Sequence, residues 1–206
     1  MSRIVLVRHG ETVWHAENRY AGRSDIALTP KGLQQAEQLA AWARGANLSA
    51  VWSSTLSRAR WTAQPAADAV GLLLHVDERL IELDFGRGEG LTDAEMEEQF
   101  PEERVAFMHD PVTHHLPGGE DPVFAVERGM AALHEIAAAS PAGRSLVVMH
   151  NTLIRLMLCS LLGIPLSRYR SVFPQLANGT LTEIDLSRQP GGNSALLSFN
   201  APLTTE

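Results

Sequence analysis

Short apolar runs alternate along the chain with longer segments in which apolar residues recur at helical spacing. The short runs predict four buried strands, at Arg3–Val7, Ala50–Ser53, Leu72–Val76 and Ser145–Met149. The longer segments predict helices from Pro30 to a stop at Gly45, from Leu56 onward, over Asp93–Met108 with a break at Pro101, over Val123–Ala139 and over Asn151–Leu162. This alternation predicts an α/β fold in which helices cover both faces of a mostly parallel sheet.

The last part of the chain departs from this alternation. Thr180–Leu186 and Ala195–Phe199 predict two strands joined by the turn residues Pro190–Asn193, and we expect the pair to run antiparallel. No repeat, low-complexity tract or linker divides the sequence, so we expect residues 1–206 to form one domain.

The composition narrows the classes of partner and compartment. Hydrophobic residues make up 45% of the chain, enough for a core, and a net charge of −7 argues against a nucleic-acid partner. The one cysteine, Cys159, excludes a disulfide within the chain and suits a reducing compartment. We see no signal-like leader, and the apolar segment Thr152–Ile164 is too short to span a bilayer and contains Arg155. We therefore expect a cytoplasmic protein with no membrane partner.

Basic residues follow three of the four predicted strands. Arg8 and His9 come directly after the first strand, Arg58 begins the helix after the second, and His150 follows the fourth. The carboxyl ends of parallel strands share one edge of a sheet, where such folds bind ligands, so we expect these side chains to converge. The helix N-termini at Arg58 and after His150 add backbone donors that favour an anion. The pattern therefore predicts a phosphate site.

Each of these residues also has an explanation that needs no function, and the sequence leaves it open. Arg8 is compatible with an exposed ion pair to Glu11, which would stabilise little. Glu82, in the loop after the third strand, is compatible with a solvated carboxylate, and His150 with a buried histidine whose hydrogen bonds are satisfied. Arg58 is harder to explain in this way, because a cation in the first turn of a helix opposes the helix dipole.

The order of these motifs resembles a known family. LVRHGET (Leu6–Thr12) is followed by Trp14, then by SSTLSRA, then by Glu82 ahead of DFGRGEGLT, and then by His150 after an apolar strand. In this order and spacing the chain resembles the histidine phosphatase superfamily, which has the phosphoglycerate-mutase-like fold. The resemblance implies a three-layer α/β/α sandwich, a covalent phosphohistidine intermediate and a site that uses no cofactor.

The resemblance also implies roles for individual residues. The matching positions are His9 for the nucleophile, Glu82 for the proton donor, Arg8, Arg58 and His150 for the phosphate-binding group, and Gly22 for a backbone N–H close to the ligand. These residue types suit phosphoryl transfer, because an arginine fork binds oxygens in pairs and a neutral imidazole is a nucleophile at pH 7.

Four positions depart from the pattern of the family. His15 stands where many relatives have an asparagine that touches the phosphate, and Asn151 replaces the common glycine after the second histidine. Ala21 and Phe85 stand where mutases usually have a serine or threonine and a tyrosine. We expect His15 to replace the missing asparagine contact and the backbone N–H of Asn151 to serve the substrate.

Together these observations predict a phosphatase that hydrolyses a small phosphomonoester through a phosphohistidine on His9. The alternatives are a cofactor-dependent phosphoglycerate mutase and a non-catalytic module that binds a phosphorylated ligand. Arg87 and Arg104 are the only lysine or arginine residues between Glu82 and Pro117, so a substrate with two strongly negative ends is poorly served. A pure binding module would not need both a nucleophile and an acid.

Specificity and cofactors complete the expectations. The segments Leu91–Met108 and His109–Pro122 are expected to cap the pocket and set its specificity. His109, His114 and His115 have no carboxylate or cysteine at a ligand spacing, so we predict neither a metal nor another cofactor. A homodimer is compatible with the sequence, since dimers are the commonest oligomers.

Overall fold

Six strands form one sheet in the computed structural model, which describes residues 2–186 and 194–203. The strands are β1 (Ser2–Arg8), β2 (Ala50–Ser53), β3 (Leu74–Val76), β4 (Arg144–Met149), β5 (Leu181–Leu186) and β6 (Ala195–Ala201). The helices are α1 (Pro30–Ala43), α2 (Ser57–Val70), α3 (Asp93–Gln99), α4 (Pro101–His109), α5 (Pro122–Ala139), α6 (Asn151–Leu161) and α7 (Tyr169–Val172).

The strand order is β3-β2-β4-β1-β5-β6, and the first four strands of the chain run parallel. The last two strands run antiparallel, β5 against β1 and β6 against β5. The mostly parallel sheet and the antiparallel terminal pair are therefore confirmed. The turn predicted at Pro190–Asn193 lies outside the described residues.

The alternation of side chains along β1 assigns the helices to two layers. Ile4 and Leu6 point into a core cluster that contains residues of α5 and α6. Val5 and Val7 point to the other face, into a cluster with residues of α1 and α2 such as Leu39. Because successive side chains of a strand face opposite sides, helices pack on both faces of the sheet. The three-layer α/β/α sandwich is confirmed.

Element boundaries differ from the prediction by one or two residues at several ends, and two of these differences have a clear local cause. The third strand begins at Leu74, because the N–H groups of Gly71 and Leu72 still bond to carbonyls of α2, with Gly71 in the left-handed region at φ 68°. The loop predicted from His109 to Pro122 is shorter at both ends, because α4 includes His109 and α5 begins at Pro122. Proline is favoured in the first turn of a helix, where its missing N–H has no partner to lose.

Candidate active site

Three parallel strands end at the same edge of the sheet and bring the predicted residues together. The His9 N–H donates to the carbonyl of Met149 at 3.0 Å, which ties the end of β1 to the end of β4. The imidazole rings of His9 and His150 therefore lie 5.1 Å apart between their centroids, tilted by 58°. Arg58, from the first turn of α2, contacts His9 from the β2 side.

The hydrogen bonds of His9 define its tautomer. Its Nδ1 lies 2.8 Å from the carbonyl oxygen of Gly10, which can only accept, so Nδ1 carries the proton. Its Nε2 accepts from Nε of Arg58 at 3.2 Å. Burial, together with the charges of Arg58 and Arg8, holds the pKa of His9 well below its usual value. His9 is thus a neutral imidazole with its lone pair on Nε2.

Arg58 is fully buried and is held by a short polar segment, residues 21–24. Its Nη1 donates to the carbonyl of Ser24 at 2.6 Å, and its Nη2 donates to the carbonyl of Gly22 at 2.7 Å. Burial lowers the pKa of Arg58, and the carboxylate of Glu82 opposes that effect. The guanidinium is therefore fixed in orientation next to the nucleophilic nitrogen of His9.

Arg8 and His15 form a direct pair at the mouth of the site. Nη2 of Arg8 lies 2.6 Å from Nε2 of His15, and Nη1 donates to the carbonyl of Leu176 at 2.6 Å. Burial lowers the pKa of Arg8 to about 10, and burial with the charge of Arg8 lowers the pKa of His15 to about 4. His15 is therefore a neutral acceptor for Arg8. The Nε atom of Arg8 is buried and has no hydrogen-bond partner among the described residues.

His150 has one satisfied and one free ring nitrogen. Its Nε2 lies 2.6 Å from the hydroxyl of Ser54, while its Nδ1 is buried and makes no hydrogen bond within the described part of the chain. Burial, followed by the charge of Arg58, holds the pKa of His150 well below its usual value. A hydroxyl that donates to Nε2 would leave the proton on Nδ1, where it has no partner yet.

Glu82 is buried at the N-terminus of α6. Its carboxylate accepts three backbone N–H groups: Oε1 accepts from Leu83 at 2.9 Å and from Leu153 at 3.0 Å, and Oε2 accepts from Thr152 at 2.8 Å. A carboxylate is favoured at this end of a helix, where free N–H groups and the dipole meet it. Glu82 is therefore a held side chain, and the solvated loop carboxylate that the sequence left open is excluded.

Gly22, which is predicted to bring a backbone N–H close to the ligand, has its N–H bonded within the protein. Its N–H donates to both oxygens of the Glu89 carboxylate at 3.0 Å, and it does not line the cavity at the site. A Cβ at Gly22 would lie 2.4 Å from the carbonyl oxygen of Leu83, so only glycine fits here. In this geometry the carbonyl of Gly22 accepts a hydrogen bond from Arg58, while the N–H of Gly22 is already bonded to Glu89.

A cavity of about 330 Å³ opens above His9. Four other predicted residues line it, namely Arg8, His15, Glu82 and Asn151, whereas Arg58 and His150 are fully buried and reach the site through their contacts with His9. The side-chain Oδ1 of Asn151 is buried, and no residue that the structure describes is its hydrogen-bond partner.

Several wall residues were missed by sequence reasoning. They include Arg19, Tyr20, Thr152, Arg155, Tyr169 and Arg170. Arg155 had a readable signal, because it lies four residues after Asn151 on one helix and so on the same face. Tyr169 and Arg170 had none, since they reach the cavity from a separate short helix.

The expected cap does not line the cavity. No residue of Leu91–Met108 or His109–Pro122 lies on its wall. Apolar side chains of these segments, such as Phe107 and Leu116, are buried in the core cluster around α5 and α6. In the part of the chain that the structure describes, no three His, Cys, Asp or Glu side chains are placed to hold a metal.

An α/β sheet whose strand ends hold a neutral histidine, buried arginines and a fixed carboxylate defines a phosphoryl-transfer enzyme. The chain belongs to the histidine phosphatase superfamily, branch 1, whose family model matches residues 4–200. The family predicted from the motifs is thereby confirmed, and the protein is a phosphoric monoester hydrolase.

Individual relatives agree with this class. The chain is 34% identical over 190 residues to "Probable phosphoglycerate mutase GpmB" of Enterobacter sp., covering 92% of this chain and 87% of that protein. It is 33% identical over 171 residues to "Phosphoserine phosphatase 1" of Hydrogenobacter thermophilus, covering 83% and 81%.

Solved structures have the same architecture. Bacillus stearothermophilus YhfR superposes with a TM-score of 0.90 at 27% identity, covering 98% of both chains. A mycobacterial glucosyl-3-phosphoglycerate phosphatase, solved with VO3, superposes with a TM-score of 0.87 at 28% identity, covering 97% of this chain and 99% of that one. No helix among the described residues is long and apolar enough to cross a membrane.

Proposed function

We propose that this protein hydrolyses a small phosphomonoester in two steps, through a phosphohistidine on Nε2 of His9. The observation that carries the proposal is the tautomer of His9. Its Nδ1 proton is held by the Gly10 carbonyl, so the lone pair of Nε2 is free of a proton at neutral pH. A neutral imidazole nitrogen beside fixed cations is the nucleophile that attack on a phosphate ester requires.

In the first step, Nε2 of His9 forms a bond to phosphorus while the ester P–O bond breaks. The Nε–H of Arg58 then leaves Nε2 and bonds to a phosphoryl oxygen. The free Nδ1 of His150 and the free Nε of Arg8 supply further donors to the phosphoryl oxygens. Glu82 enters this step as the carboxylic acid and gives its proton to the leaving oxygen, so that an alcohol departs.

In the second step, water attacks the phosphorus of phosphohistidine. Glu82 takes a proton from that water, the N–P bond breaks, and inorganic phosphate leaves with His9 again neutral. Glu82 returns to its starting protonation state over the full cycle, so each turnover consumes one ester and one water. His15 supports this site by accepting from Arg8, and the backbone N–H of Asn151, on the cavity wall, is expected to serve the substrate.

A phosphoglycerate mutase is the second candidate, because relatives such as the Enterobacter protein carry that name. A mutase returns the phosphoryl group to a hydroxyl of the substrate, and a phosphatase gives it to water. Incubation with 3-phosphoglycerate separates them: release of inorganic phosphate supports the phosphatase, and accumulation of 2-phosphoglycerate supports the mutase. A protein that binds phosphate esters but turns over no aryl phosphate would be the binding module.

The proposal extends to the setting of the enzyme. We propose that the chain acts as one domain over residues 1–206, needs no metal, and works in the cytoplasm, where its single buried cysteine would stay reduced. The arginines supply the positive charge that a metal would otherwise provide. The homodimer suggested above is tested by the mass of the protein in solution.

The decisive experiment is to trap the covalent intermediate. Enzyme and a ³²P-labelled ester are mixed in EDTA and quenched in alkaline detergent, because phosphohistidine is labile in acid. Wild type should retain label, and His9→Ala should retain none and lose turnover. His114→Ala, a histidine on the surface away from the cavity, is the matched control and should behave as wild type. Turnover that survives His9→Ala, or that EDTA removes, would refute the mechanism.

A further inference from the structure

Besides Arg8, which belongs to the phosphate-binding group, two arginines on the cavity wall have no carboxylate partner among the described residues. Arg19, on the same wall, is paired with Glu17 and Glu95, but among the described residues no carboxylate lies within ion-pair distance of Arg155 or Arg170. Cations withdrawn from water are unfavourable unless they meet an anion. Arg19 shows that an arginine on this wall can have carboxylate partners, so the lack of such partners distinguishes Arg155 and Arg170.

Arg155 is nine-tenths buried on α6. Its Nε donates to the carbonyl of Asn151 at 3.3 Å, and its Nη1 donates to the carbonyl of Phe173 at 3.2 Å. Its guanidinium carbon lies 4.9 Å from the centre of the Tyr169 ring. In the described chain its Nη2 makes no hydrogen bond. The group is therefore held in place with donors left over.

Arg170 is held in the same manner on α7. Its Nε donates to the Tyr169 hydroxyl at 3.0 Å, and its Nη1 donates to the carbonyl of Phe107 at 3.2 Å. Its guanidinium carbon lies 4.5 Å from the centre of the Phe107 ring and 5.6 Å from that of Tyr169. Within the described residues Nη2 again has no partner. Both guanidinium groups thus contact the one ring of Tyr169 and border the same cavity.

The phosphoryl group already has its own donors in Arg8, Arg58 and His150. We propose that Arg155 and Arg170 bind a second anionic group, a carboxylate on the leaving-group side of the substrate. This inference rests on the proposed function and narrows it: the preferred substrate is a small phosphorylated carboxylic acid. Two guanidinium groups with free N–H donors match the two oxygens of a carboxylate.

Arg155 and Arg170 change the picture for a substrate with two negative ends. The sequence predicts that such a substrate is poorly served, because few cations lie between Glu82 and Pro117. The structure supplies the cations from α6 and α7 instead, far along the chain from that segment. The segment between Glu82 and Pro117 does not predict these cations, because α6 and α7 form this part of the cavity wall.

The test compares two esters that differ at one group. In 3-phosphoglycerate a carboxylate stands where sn-glycerol 3-phosphate has a hydroxymethyl, and O-phosphoserine and O-phosphoethanolamine form a second such pair. Wild type should show a higher kcat/KM for the acid of at least one pair. Arg170→Met should lower kcat/KM for that acid by about 10- to 100-fold, the range for a lost charge-assisted hydrogen bond. It should change the partner ester by less than about threefold.

Arg168→Met is the matched control, because Arg168 is an exposed arginine two residues away that does not line the cavity. It should leave both esters of each pair unchanged. Arg155 is buried and its loss can disturb folding, so a measurement on wild type stands beside the variants. D-glycerate should inhibit the hydrolysis of an aryl phosphate at lower concentration than glycerol does.

The outcomes are separable. Equal losses on both esters in Arg170→Met would overturn the inference, since the arginine would then serve the phosphoryl group. Equal wild-type rates within both pairs would overturn it too. In either case an aryl phosphatase activity that depends on His9 would leave the proposed function standing, whereas its absence would remove the proposed function itself.

Discussion

At the scale of single residues, backbone groups decide what each ionisable side chain can do. The carbonyl of Gly10 fixes which nitrogen of His9 has the proton, and the first N–H groups of α6 fix where the carboxylate of Glu82 lies. These partners are backbone groups that contact the ionisable side chain directly, so their positions do not depend on long flexible side chains. The reactive groups are therefore already oriented before a substrate binds, as efficient electrostatic catalysis requires.

Glu82→Gln tests whether this carboxylate is an acid or only a structural group. An alkyl phosphate leaves as a strong base and needs a proton, so we expect the variant to slow it by about 10²–10⁴-fold, the usual range for general acid catalysis. A nitrophenyl phosphate leaves as a weak base, so its first step should slow much less. Rapid-mixing kinetics should show this as a burst of nitrophenol before a slow dephosphorylation.

Arg58→Ala provides the comparison for that experiment. Both esters have the same phosphoryl charge, so loss of Arg58 should slow both by similar factors. If Glu82→Gln also slows both esters equally in the first step, Glu82 only positions other groups and another residue is the acid.

At the scale of elements, two distant loops together hold one arginine. The segment 21–24 gives its carbonyls to Arg58, and the same segment gives the N–H groups of Gly22 and Ser24 to the carboxylate of Glu89. Glu89 lies in the sequence GRGEG, residues Gly86–Gly90. That stretch therefore acts here as a support for the phosphate-binding arginine.

Glu89→Ala should loosen this support. Two N–H groups would lose their acceptor, which we expect to lower the free energy of unfolding by about 1–3 kcal/mol. A shift of Arg58 should also lower kcat for alkyl and aryl esters alike, by about tenfold or more. Urea unfolding and steady-state kinetics measure the two effects. Glu127→Ala, an exposed glutamate on α5, should change neither. Wild-type kcat in Glu89→Ala would show that Arg58 does not need this loop.

The contrast between these contacts explains what the sequence could predict. Arg8, His9 and His150 directly follow buried strands, and parallel topology alone brings strand ends together. The contact between Glu89 and Gly22 joins loops 67 residues apart, and the approach of Arg170 to the cavity depends on how a four-residue helix packs. Such contacts follow from tertiary packing and leave no periodic pattern in the sequence. Tertiary packing also explains why Leu91–Met108 and His109–Pro122 do not cap the cavity, since apolar side chains of these segments are buried in the core.

At the scale of the whole molecule, an acidic protein encloses a basic site. The net charge is −7, yet four arginines line the cavity wall and only one of them, Arg19, is ion-paired within the described chain. The histidines of the site stay neutral among these cations, because each added positive charge would be both buried and repelled. Neutral histidines are what the mechanism needs, but they also make the fold sensitive to acid.

This sensitivity gives the last prediction, a loss of stability as the pH falls below about 6.5. The folded-state pKa values of His9 and His150 are lowered well below the unfolded value near 6.5, and that of His15 is lowered to about 4. Above pH 6.5 both states hold these histidines neutral, so nothing changes. Below it the unfolded state takes up protons that the folded state refuses, and the free energy of unfolding falls with pH. His9 and His150 should each contribute up to about 1.4 kcal/mol per pH unit, and His15 less, because its folded-state pKa of about 4 lies closer to the unfolded value. Carboxylates whose pKa values are lowered by ion pairs reduce the free energy of unfolding only below about pH 4.5, so urea unfolding between pH 7.5 and 5 isolates the histidines.

His15→Asn should make the decline in the free energy of unfolding shallower, while His114→Asn should not. A free energy of unfolding that is flat from pH 7.5 to 5 would mean that the site histidines accept protons in the folded protein and are not the neutral groups that the mechanism requires.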